Sequence, residues 1–105
     1  MDVLYHVKAR PIPEKMSEFY TILTDGSVES QYPDGKELLA SMRRAVMTGD
    51  ATIEWYETCF CPTPLKHERA TVLDKYFTDL ITETINSPPT INGKSFWEYL
   101  ERSGK

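Results

Sequence analysis

Cysteine is nearly missing from this chain: 105 residues hold two, Cys59 and Cys61. Two residues spaced i, i+2 make no disulfide framework. In a strand they would lie ~6.5–7 Å apart on one face, too wide for an unstrained bridge. A reducing, cytoplasmic setting is therefore the expectation. Histidine is as scarce, with only His6 and His67. No apolar run approaches the ~18–20 residues of a membrane span. The opening "MDVLYHVKARP" lacks the basic leader and apolar centre of a signal peptide. Bases are also in deficit, 12 Lys and Arg against 16 Asp and Glu, for a net charge of −4. Arg43-Arg44 is the one adjacent basic pair outside residues 66–69, which argues against nucleic acid as a partner. There is no internal repeat.

What remains is an ordinary globular composition, 40% hydrophobic and 27% charged, with a length that suits one core. Residues 1–86 read as a single α+β domain. Residues 87–105 read as a linker and a short helix that docks on that domain or on a partner subunit.

The first strand is 2–10, where Val3, Tyr5, Val7 and Ala9 alternate with Leu4, His6, Lys8 and Arg10. Pro13 suits the first turn of a helix, and Met16, Phe19, Tyr20 and Leu23 then recur at helical spacing. Asp25-Gly26 either caps that helix or is carried inside it, with Val28 as a further contact, and "YPDG" at 32–35 is a turn by composition.

Residues 37–47 fit a helix face through Leu38, Leu39, Met42, Ala45 and Val46. They also fold on paper into a hairpin with 51–61 through a Thr48-Gly49-Asp50 loop. That register sets Met47 opposite Ala51, Arg44 opposite Glu54 and Arg43 beside Trp55. Because its charged, aromatic and apolar pairs agree with one another, the strand is the preferred reading.

Thr63-Pro64 starts a helix expected over 64–85, striped by Arg69, Val72, Leu73, Tyr76, Phe77, Leu80, Ile81 and Thr84. "NSPPT" breaks it, and a fourth strand would have to come from "PTING" (89–93). Ser95 and Glu98 have capping-box spacing, predicting a short helix from Phe96 to about Arg102.

Strand, helix, strand, strand, helix resembles the ferredoxin-like plan, and within it the small dimeric α+β-barrel proteins, whose members often open with a strand like "VLYHVKAR". The resemblance covers roughly residues 2–85 and lies in element order. It implies a two-layer sandwich: an antiparallel sheet of three or four strands, two main helices and a short C-terminal helix. "CFCPTPLKHER" is similar to a signature of a small bacterial family without an assigned activity. Neither resemblance carries a catalytic residue with it.

Candidate chemistry gathers near "TCFCPTPLKHER". Cys59, Cys61 and His67 are the metal candidates, with His6 or Glu68 as a fourth ligand. Their C-x-C…H-E spacing departs from the C-x₂₋₄-C of structural zinc. The cysteines therefore read first as small strand residues, and no metal or cofactor is expected. Cys61 precedes a helix N-terminus that would lower a thiol pKa, with His67 one turn on as a base. Arg69 would pair with Glu57 or Glu54. His6, Arg43, Trp55, Glu57 and His67 form the proposed ligand site, suited to a small acidic or aromatic molecule, with His67, Cys61 and Glu57 as its catalytic candidates. Apolar residues on both hairpin faces, Leu38, Met42 and Tyr56 on one and Leu39, Ala45, Ile53 and Trp55 on the other, predict a homodimer. The functional expectation is a homodimeric ligand-binding or assembly module. The alternatives are a small isomerase- or oxygenase-type enzyme using His/Glu acid–base groups, and a metal or thiol protein.

Overall fold

The structure, a computed structural model, describes residues 3–31, 35–49, 51–59 and 69–103, with Cys59 and Thr71 as backbone only. It is an α+β protein built on a five-stranded sheet in the order β4-β1-β3-β2-β5, every neighbouring pair antiparallel.

Strand β1, Val3–Pro11, follows the alternation in its sequence: Tyr5, Val7 and Ala9 are buried, while the even-numbered positions are more open. Pro11 is its last residue, and Ile12 N–H donates to the Tyr76 carbonyl. A 3₁₀ turn at Pro13–Lys15 leads into α1, Met16–Thr24, which buries Met16, Phe19 and Leu23. Of the two alternatives for Asp25-Gly26, the cap is the one observed: the helix stops there. Asp25 N–H returns to the Thr21 carbonyl, Gly26 adopts φ 92°, and Val28 N–H reaches the Ile22 carbonyl. This is the left-handed C-terminal closure that glycine makes inexpensive. Asp25 Oδ1 accepts from Ser27 N–H at 2.8 Å, and hydrogen bonding from the Ser27 side chain first, then from this N–H, lowers the Asp25 pKa.

The 37–47 segment is where the structure departs first. Residues Gly35–Arg44 form helix α2, and only Val46–Gly49 is strand, β2. Leu38, Leu39 and Met42 are buried, Glu37 sits in the first turn, and Arg43 and Arg44 sit in the last, matching the helix dipole. Gly35 permits this start: a Cβ there would lie 2.0 Å from the Val28 carbonyl oxygen. The hairpin to β3, Thr52–Cys59, exists but is tighter than expected. Val46 faces Glu54, Met47 faces Ile53 and Gly49 faces Thr52. Thr48 and Gly49 are thus strand, and Ala51 takes the positive φ, 53°.

The 64–85 helix is the second departure. The expected start at Thr63-Pro64 lies outside the described residues. A π-helical turn at Arg69–Leu73 and one turn of α-helix, α3 (Asp74–Tyr76), give way to strand β4, Phe77–Ile85. The backbone becomes extended at Phe77, with φ −132° and ψ 152°. From there Thr78, Ile81, Thr82, Thr84 and Ile85 favour an extended chain, and β1 offers an edge to pair with. Leu4 to Lys8 match Ile85 to Ile81 in register, and a bulge follows before Arg10–Thr78, where Asp79 has φ 52°. The sheet therefore has five strands rather than three or four. "PTING" contributes none; the last strand is β5, Lys94–Ser95, beside β2.

Helix α4, Phe96–Ser103, begins as its capping box requires, with Glu98 N–H donating to Ser95 Oγ. Phe96 and Leu100 enter the core. Phe77 is the aromatic hub: it meets Phe19 edge-on at 5.4 Å, Trp55 at 5.6 Å and Phe96 at 6.1 Å between centroids. Trp97 instead packs against Tyr20 at 5.7 Å, with the Arg43 guanidinium 5.1 Å from its ring. That replaces the expected Arg43–Trp55 pair.

Candidate functional site

The pleat sorts the chemistry onto two faces. On the core side of β3, Ile53, Trp55 and Glu57 are buried with Tyr5, Val7 and Ala9 of β1. On the other side stand Leu4, His6 and Lys8 of β1, Glu54, Tyr56 and Thr58 of β3, and Ile81, Glu83 and Ile85 of β4. Ile81 is 63% exposed there.

At the centre of that open face, His6 Nε2 lies 2.8 Å from Glu54 Oε1, both side chains partly exposed. Tyr56 and Glu83 flank His6 directly across the two neighbouring strands. Lys8 stands opposite Glu54. The Glu54 carboxyl is held below its ordinary value, first by a hydrogen bond from the Thr48 side chain and then, against partial burial, by His6 and Lys8. Imidazole against carboxylate is an arrangement that can orient a ring, hold a proton and receive a polar ligand group. Apolar side chains around it supply contact area.

Beside Tyr56 the sheet has a second device. β2 begins at Val46, so among the described residues β3 beyond Glu54 has no strand on that side. Helix α2 supplies side chains instead. Arg44 donates from Nε and Nη2 to the Tyr56 carbonyl at 3.0 and 2.7 Å. Glu37 Oε2 accepts the Thr58 N–H at 2.8 Å and pairs with Arg44 Nη2 at 3.0 Å. Ser41 Oγ also reaches this group. Two residues seven apart, hence on one helix face, continue the ladder that a strand would have made. The Arg44 guanidinium also covers the Tyr56 ring at 4.4 Å.

Beneath the sheet, Glu57 is 0% exposed, and Trp55 Nε1 donates to its Oε1 at 2.6 Å. A buried carboxylate costs several kcal/mol unless it is hydrogen-bonded, and the indole two residues away meets part of that need. Tyr5 is its cross-strand neighbour.

Of the described residues of the expected ligand site, Trp55 and Glu57 are brought together, while His6 and Arg43 stand apart from them. His6 lies on the open face, Trp55 and Glu57 lie on the core face, and Arg43 lies on α2 against Trp97. Arg69 pairs with Asp74 at 3.1 Å, not with Glu57 or Glu54. Among described residues, one concavity is bordered by Met47, Lys94, Glu98 and Arg102, and another by Glu29, Lys36 and the expected ligand residue Arg43. His67, Cys61 and Glu68 lie outside the described residues, while Cys59 ends β3 opposite Val3. Among the described residues no group of three or more His, Cys, Asp and Glu side chains is placed to hold a metal ion. Glu54 and Tyr56 were not among the expected site residues. The signal that finds them is the β1–β3 register, which puts Tyr56 opposite His6 and Glu54 one diagonal step away. No family model, curated protein or solved structure matches this chain.

Proposed function

We propose that the chain is a homodimeric binding module of ferredoxin-like plan that holds a small aromatic acid on the open face of its sheet. The observation that carries this reading is the His6–Glu54 pair at 2.8 Å, set among Leu4, Tyr56, Ile81 and Ile85 on an accessible face. Aromatic and aliphatic contacts suit a planar apolar body, and the Lys8 ammonium beside them suits its carboxylate. The βαββαβ order of β1 to β4 supports the ferredoxin-like plan, with β5 and α4 as additions. No helix among the described residues is long and apolar enough to cross a membrane, and with two closely spaced cysteines a cytoplasmic setting fits.

The test is amide and side-chain NMR with benzoate as the probe, beside the solution mass. Shifts confined to His6, Lys8, Tyr56 and Ile81, lost in Lys8→Ala, support the ligand reading. An unchanged spectrum at millimolar benzoate, or shifts spread evenly over the surface, refutes it. The same pair supports a second reading, an acid–base enzyme in which Glu54 orients His6.

A further inference from the structure

We infer that two copies of this chain join edge to edge through β4, antiparallel about Thr82, into one continuous ten-stranded sheet. This rests on the homodimer reading above and assigns its interface.

Unpaired strand edges template association, and folded proteins close them. This chain closes its others. Arg44 and Glu37 occupy the bare stretch of β3, β5 covers β2, and β5 is two residues long. Strand β4 is different. It has nine residues, stands at the end of the sheet, and pairs among the described residues with β1 alone. From Leu80 to Ile85 it has no proline and no lysine, the residues that commonly blunt an edge.

The register of the sheet shows which backbone groups face outward. Tyr56 and Thr58 direct their carbonyl and N–H away from β1, as their bonds to Arg44 and Glu37 require. Alternation then turns Tyr5 and Val7 toward β3 and turns Leu4, His6 and Lys8 toward β4, where they meet Ile85, Glu83 and Ile81. The N–H and carbonyl groups of Leu80, Thr82 and Thr84 therefore point away from the molecule.

Charge selects one pairing. With Thr82 facing Thr82 of the second copy, Leu80 meets Thr84 and Ile81 meets Glu83. No like charges are opposed, and about six main-chain hydrogen bonds form. A slip of one pair toward Ile81 sets Asp79 against Glu83. A slip the other way sets Glu83 against itself. Both are penalised. The two-fold axis stands normal to the sheet, so the His6–Glu54 faces of both copies lie side by side on one surface.

Sedimentation of the full chain with three variants tests this. Wild type is expected at twice the 12.1 kDa chain mass. Thr82→Pro removes an N–H that β1 does not use, so circular dichroism should be unchanged while association weakens at least ~30-fold. If that variant unfolds, Ile81 substitutions decide, because this side chain is exposed. Ile81→Lys, opposite Glu83, should keep or tighten the dimer, and Ile81→Asp should dissociate it. A folded Thr82→Pro dimer of wild-type affinity, or equal behaviour of the two Ile81 variants, overturns the β4 assignment while leaving a homodimer. A monomeric wild type at micromolar concentration overturns both readings and leaves the edge to an extended segment of another protein.

Discussion

Replacing Arg44 with alanine should destabilise the fold by about 2–3 kcal/mol, a large effect for a side chain that is not in the core. Its guanidinium makes two contacts to the Tyr56 carbonyl, at 3.0 and 2.7 Å, and with 28% side-chain exposure it is only partly screened. A hydrogen bond from a charged donor is worth ~1.5–3 kcal/mol, and the lower end applies here because water competes. Stacking over Tyr56 at 4.4 Å adds ~0.5 kcal/mol. Loss of the packed aliphatic stem adds a similar ~0.5–1 kcal/mol. In a domain of this size the sum lowers Tm by roughly 10 °C or more. Arg44→Lys keeps the charge but not the fork, and should cost about half as much. A double-mutant cycle with Glu37→Gln should return a coupling of ~0.5–1 kcal/mol. The assay is urea unfolding, with amide exchange of Thr58 as the local reporter, because Glu37 accepts that N–H. An Arg44→Ala cost below ~0.5 kcal/mol, with Thr58 exchange unchanged, would refute the idea that these side chains stand in for a strand.

Tyr76 donates to Glu18 Oε2 at 2.5 Å, and burial first, then that carboxylate, pushes its pKa up to about 12. The unfolded phenol ionises at the ordinary value of 10.0, so the folded state binds more protons between the two. Stability should therefore fall as pH rises from about 10 to 12. Denaturant midpoints across that window should show the loss, and Glu18→Gln should lower the Tyr76 pKa in an absorbance titration. Glu54 has the opposite sign: its depressed pKa contributes stability above the ordinary carboxylate value of 4.5, lost as pH falls through the folded pKa. Thr48→Val removes the largest cause, so carboxyl NMR should show Glu54 titrating closer to 4.5; an unmoved titration would show that Thr48 contributes nothing.

Strand β1, helix α1, strand β3 and the terminal helix were legible in the sequence because local pattern and tertiary need agree there. Val3 to Ala9 alternate, Met16 to Leu23 recur at one turn, and Ser95 and Glu98 box a helix start. Residues 37–47 were not legible, because Leu38, Met42 and Ala45 satisfy both periods. What decides for helix is long-range: Gly35 fits under the Val28 carbonyl, and Glu37 and Arg44 reach the β3 edge from one helix face, about two turns apart. The stripe from Val72 to Thr84 misled for a related reason. Val72, Leu73 and Tyr76 are truly helical, and Phe77, packed among Phe19, Trp55 and Phe96, marks the change to strand. After it, β-branched residues and the free side of β1 outweigh a 3.6 period. Of the site, His6 could be placed on a strand face from sequence. Its partner Glu54 could not, because the match depends on how β1 aligns with β3.

The first strand is also the last to be satisfied. β1 lies between β3 and β4, so His6 faces Tyr56 on one side and Glu83 on the other, about half and three quarters of a chain length away. Synthesis runs from the N-terminus, and β1 leaves the ribosome with neither neighbour made. It must wait with Val3, Tyr5 and Val7 uncovered until first β3 and then β4 have been made. Pairings this distant carry the loop-closure entropy that slows folding of such topologies into the millisecond-to-second range. A strand paired on both sides in the finished sheet is, during synthesis, its most exposed segment and the natural client for a chaperone.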